Sequence, residues 1–164
     1  MKIKIIIALL LYISCVGIQR NKEAVLIKEF IIKLNDSKVS SKSILDNFIQ
    51  IEEDKDNSLS LSDRKSSIIE IIEKIRDPKI QGNSLFPKYA LDSIKNFNIY
   101  PLKEYENLSK YKFSGMNILR EDAFILLDDK KKNILQYFLL NKEHNKIISF
   151  SLFVKTDVAW FLEY

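Results

Sequence analysis

Ala123-Phe124-Ile125-Leu126-Leu127 and Ile134-Leu135-Gln136-Tyr137-Phe138-Leu139-Leu140 are two apolar runs separated by the charged segment around Asp128-Asp129-Lys130. Asn141 to Asn145 follows, and then the runs Lys146–Val154 and Val158–Tyr164, broken by Lys155-Thr156-Asp157. β-Branched, aromatic and leucine-rich runs of this length, bounded by Asp, Asn and Lys, predict strands joined by turns. Within Lys146–Val154 the residues Ile148, Phe150, Leu152 and Val154 alternate with Ile147, Ser149, Ser151 and Phe153, which is the period of a single strand. In the last run Val158, Trp160 and Leu162 share a face. Short connections favour consecutive antiparallel pairing. Earlier strands are expected within Ile99–Glu106 and Tyr111–Leu119.

Upstream the periodicity changes. Ala24, Ile27, Ile31 and Leu34 form a helical stripe widened by Phe30, and Asn35-Asp36-Ser37 ends it. A second helix is expected over Lys42–Ile51, with Ser43 and Asp46 as a capping pair and Ile44, Leu45, Phe48 and Ile49 as its apolar face. A third runs over Asp63–Arg76 with Ser62 as N-cap, and Asp77-Pro78 stops it. A short fourth is expected over Lys88–Asn96. Helices first and strands afterwards predict an α+β fold, with N-terminal helices packed on a curved antiparallel sheet formed mainly by the C-terminal half. That element order, closed by Lys146–Val154 and Val158–Tyr164, resembles the nuclear-transport-factor-2-like (cystatin-like α+β) superfamily. The resemblance covers Glu23 to Tyr164 and implies a concave, cone-shaped sheet that serves enzymes and non-catalytic binding domains alike.

The N-terminus carries a different signal. Lys2 and Lys4 precede the apolar stretch Ile5 to Ile13, a length suited to secretion and too short to span a bilayer. Leu11-Tyr12-Ile13-Ser14-Cys15 resembles the lipobox of bacterial lipoproteins. The resemblance implies diacylglycerol on the Cys15 sulfur and removal of residues 1–14. With Val16 rather than aspartate after the cysteine, it favours the outer membrane. Cys15 is the only cysteine, so no intramolecular disulfide competes for it. Acyl chains contribute about 0.8 kcal/mol per buried methylene, so two or more hold a protein on a membrane. The expected organisation is a signal peptide at 1–14, the lipidated cysteine and a tether at 15–22, and one domain at 23–164.

Composition narrows the function. Once Lys2 and Lys4 leave with the leader, 24 basic residues face 22 acidic ones, and this near balance argues against nucleic-acid binding. Three glycines in 164 residues leave no glycine-rich phosphate loop. Asp54 to Ser58 begins like a calcium loop, but Leu59 and Lys65 stand where the turn glycine and bidentate glutamate belong. The only histidine, His144, lies at an expected hairpin tip, where exposure and a bystander role are the default. Tyr100 and Tyr105, in an aromatic-rich middle segment, and Arg120 and Asp122, before the first long strand, are the candidate pocket residues. Lys130-Lys131-Lys132 reads as a charged turn that keeps its hairpin soluble.

No coherent catalytic set, metal site or cofactor motif emerges. The leading expectation is a lipid-anchored, non-catalytic cell-envelope domain that binds a small ligand or another envelope protein. Two alternatives stand beside it. One is a small cone-pocket enzyme using Asp or Glu with Tyr for acid–base chemistry, and the other is an immunity- or inhibitor-type protein.

Overall fold

The computed structural model of the chain describes residues 22–51, 60–77, 96–114 and 121–164. The expected leader at 1–14, Cys15, the tether up to residue 21, the Asp54–Ser58 segment and the expected helix Lys88–Asn96 up to residue 95 lie outside the described residues. So do Arg120 and residues 115–119 of the expected Tyr111–Leu119 strand.

Helix α1 covers residues 22–35, and its stripe Ile27, Phe30, Ile31 and Leu34 is buried as the 3.6-residue period demands. Helix α2 is Ser41–Phe48. Its N-cap is Ser40, whose side chain accepts the Ser43 N–H at 3.1 Å, so the Ser43–Asp46 capping pair is corrected by three residues. Helix α3 is Leu61–Arg76, capped by Ser60 rather than Ser62. The Ser60 hydroxyl accepts the Asp63 N–H at 3.1 Å and donates to its carboxylate at 2.7 Å. Arg76, at the far end of α3, donates to the carbonyls of Val39 (2.7 Å) and Asp36 (2.5 Å) and so fixes the α1–α2 turn.

Strands β1 (Asn98–Pro101), β3 (Ala123–Leu127), β4 (Ile134–Leu140) and β5 (Ile147–Ser149) form an antiparallel sheet in the order β1-β3-β4-β5. Strand β2 (Lys112–Phe113), β6 (Leu152–Lys155) and β7 (Val158–Phe161) form a second, mixed sheet in the order β2-β7-β6. The architecture is α+β. Every residue of β3 is buried, which is why its sequence is an unbroken apolar run rather than an alternation. Phe124, Leu126, Phe138 and Leu140 face the three helices, and Ala123, Ile125, Leu127, Tyr137 and Leu139 face the other way, toward Leu102 and Phe161. Register shifts at Leu126/Leu127 and Leu139/Leu140 mark bulges, which bend the ladder.

Two expectations about the strands are corrected. The run Lys146–Val154 is not one strand but two, β5 and β6, and they belong to different sheets. At the corner the Ser149 hydroxyl donates to the Ser151 carbonyl (3.0 Å) and accepts the Ser151 N–H (3.2 Å). These local bonds replace the ladder there. The Ser151 hydroxyl in turn meets the Tyr164 hydroxyl. The consecutive meander therefore stops at β5, and β7 takes β6 as an antiparallel and β2 as a parallel neighbour. Val158, Trp160 and Leu162 do share a face, but it is the outer one, and Ala159 and Phe161 turn inward.

Candidate functional site

The loop between β4 and β5 is built around one asparagine. Buried Asn141 accepts the N–H groups of Asn145 (2.9 Å) and Lys146 (3.1 Å) through its side-chain oxygen. Its amide nitrogen donates to Gln50 Oε1 and Asn145 Oδ1, both at 2.8 Å. Lys146 Nζ donates to the carbonyls of Asp46 (3.1 Å) and Asn47 (2.6 Å), placing a cation at the C-terminal end of α2. Within this frame His144 adopts φ 52°, a left-handed position that folds the loop back on the sheet.

The ring then lies between two carboxylates. His144 Nδ1 is 2.8 Å from Glu23 Oε1, and Nε2 is 2.6 Å from Asp122 Oδ1. Phe124 packs against the ring edge-on at 5.8 Å. The expected exposed tip is corrected, because the His144 side chain is only 16% exposed and that of Glu23 only 3%. A sequence signal for this existed. Glu23 precedes Ile27 by four residues and so heads the buried stripe of α1, where a carboxylate needs a partner.

Ionised carboxylates only accept hydrogen bonds, so a ring bonded to both on opposite nitrogens is satisfied as the doubly protonated imidazolium. Burial by itself lowers the pKa of His144, but the hydrogen bonds to Asp122 and Glu23, reinforced by their charges, raise it above the ordinary imidazole value. Both ring nitrogens are committed to carboxylates, so neither faces open space for proton abstraction or metal ligation. It acts as a clamp joining α1, the start of β3 and the β4–β5 loop. Because the folded state holds this proton more tightly, the stabilisation is complete below the ordinary value of about 6.5 and is lost as pH rises through the folded pKa. The midpoint of urea unfolding should therefore fall as pH rises from about 6.5 through the folded pKa. A profile that is flat or rises over that window contradicts the clamp.

Of the candidate pocket residues within the described part, Tyr100 and Tyr105 meet and Asp122 lies apart from them; Arg120 is outside the described residues. Tyr100 pairs with Ile125 and packs on Tyr105 at 5.0 Å, on the face away from the helices. Lys131 donates to the Tyr100 hydroxyl at 2.5 Å and sits over its ring, and that contact raises the lysine pKa. Asp122 begins the opposite register, with Phe124 and Leu126, and serves His144. Among the described residues, no group of three His, Cys, Asp or Glu side chains is arranged to hold a metal ion.

A groove of about 350 Å³ lies on another part of the surface, between the first half of β4 and strand β6. Tyr111, Ile134, Tyr137, Leu152 and Val154 line it, with Lys110 and Lys132 alongside. Tyr137 shares a 3.2 Å hydrogen bond with Ser109, and burial pushes its phenol pKa up. The sequence gives no hint of this groove, because it exists only where β5 stops short. Comparison of the chain with protein-family models, curated proteins and solved structures returns no match. Among the described residues, no helix is long and apolar enough to cross a membrane.

Proposed function

We propose that this chain is a non-catalytic domain of the cell envelope, tethered by a diacylglyceryl group on Cys15, that works by binding a ligand or an envelope protein. The observation that carries the binding role is the groove between β4 and β6, whose about 350 Å³ falls within the usual range for ligand sites of about 300–1,000 Å³. The commitment of both His144 nitrogens to carboxylates supports a non-catalytic role. An acid–base enzyme has less support, since Tyr100 and Tyr105 lie on one face of the sheet and Asp122 on the other. An immunity- or inhibitor-type role is this same binding activity with a protein as the ligand.

The anchor is supported by the leader, from Lys2 to the lipobox-like segment ending at Cys15. Intact-mass analysis of membrane-extracted protein should show loss of residues 1–14 and an acyl adduct on the new N-terminal cysteine. Cys15→Ser should move the chain to the aqueous fraction. A wild-type chain recovered in that fraction with a free thiol contradicts the anchor.

A further inference from the structure

We propose that the groove is a strand-addition site, in which an extended acidic segment of a partner protein pairs with the open edge of β4. The inference rests on the binding reading above and names the ligand class. Along β4 the hydrogen bond from Leu140 N–H to Asp122 C=O fixes the phase of the ladder. Residues 136, 138 and 140 direct their backbone groups toward β3, and Tyr137 directs its own away from it, whereas the bulge opposite Leu127 interrupts the alternation at Leu135. On that far side β5 pairs only with Leu139 and Leu140, because the chain turns out of the sheet at the Ser149–Ser151 corner. Among the described residues no strand continues the pairing past Tyr137. The Gln136 side chain reaches across, donating to the Phe150 carbonyl at 2.5 Å.

Among the described residues, the place beside β4 that β5 vacates is a slot, because the chain continues into the second sheet. Strand β6, the edge strand of its own sheet, forms the opposite wall and contributes the apolar side chains of Leu152 and Val154. Backbone groups on one wall and apolar side chains on the other are what an added strand uses, the first for affinity and the second for side-chain selection.

Charge then selects the occupant. Lys110 and Lys132 border the groove, and among the described residues no Asp or Glu lines it. Neither ammonium group has a carboxylate partner among the described residues, whereas nearby Lys112 is 3.4 Å from Asp157. Acidic side chains on the added strand would meet both lysines. Lysines also protect sheet edges from unwanted pairing, so the test must separate recognition from protection.

The test uses the full mature chain with Cys15→Ser, titrated by NMR with three capped hexapeptides: alternating Val-Glu, alternating Val-Lys, and alternating Val-Glu with every backbone nitrogen methylated. The Val-Glu peptide should bind, shift the Tyr111 and Tyr137 resonances and slow amide exchange at Tyr137. The Val-Lys peptide should not bind, nor should the methylated peptide, which keeps the acidic side chains but has no backbone N–H to pair. Lys110→Glu with Lys132→Glu should weaken Val-Glu binding about tenfold or more. Both lysines are exposed, and an unchanged amide spectrum will show that the variant still folds.

Equal binding of the methylated peptide overturns strand pairing. Equal binding of the Val-Lys peptide overturns charge selection and leaves the lysines as edge protection. If glutarate shifts the groove resonances and no peptide does, strand addition fails and the binding reading survives. Silence from every probe overturns the proposal, while the anchor is judged separately by the mass of Cys15.

Discussion

His144→Ala lowers the stability of the fold by about 3–5 kcal/mol, the usual loss when one member of a buried charged set is removed. Glu23 is left almost fully buried with no charged partner, and its Oε2 atom already has no hydrogen bond. Alanine also pays the steric cost of a left-handed φ, which asparagine tolerates better. Domains of this size are stable by about 5–15 kcal/mol, so the variant should be only marginally folded in urea titrations. Adding Glu23→Gln to His144→Ala should recover part of the loss, because the orphaned group is then neutral. A His144→Ala protein as stable as the wild type would show that the carboxylates do not depend on the ring.

Phe30→Ala should cost a similar amount, about 3–5 kcal/mol, for a different reason. Its fully buried ring contacts Phe150 at 5.3 Å, Phe48 at 6.0 Å and Phe138 at 6.4 Å. One side chain thus joins α1 to α2, to β4 and to the corner where the two sheets part. Truncation opens a cavity bordered by three rings that cannot all move inward. Chemical denaturation measures the loss. A cost below about 1 kcal/mol would mean that the site collapses freely and that Phe30 is not the centre of the helix–sheet contact.

The parts of the fold legible in the sequence are those fixed locally. Ala123–Leu127 and Ile134–Leu140 fall where their apolar runs do, because charged turns bound both ends. The stripe of α1 and the stop at Asp77-Pro78 were equally plain, as each depends only on neighbouring residues. The break at Phe150–Ser151 was not legible, since alternation continues through it and the corner depends on serine side chains bonding their own backbone. The parallel pairing of β2 with β7 joins residues far apart in the chain and leaves no local trace.

The candidate site was harder to read for the same reason. Tyr100 and Tyr105 do meet, yet Asp122 belongs to the other face of the sheet by the two-residue alternation of β3. His144 sits on a turn, and turns are usually exposed. Only the position of Glu23 on the buried stripe, 121 residues earlier, signals that something must reach it.

His144 is the chain's only histidine, so an NMR titration of the imidazole needs no assignment and tests the account most directly. With both nitrogens engaged by carboxylates, the ring should titrate above the ordinary value of about 6.5. A ring that titrates at or below that value would contradict the clamp. It would also return His144 to the set of residues available for catalysis.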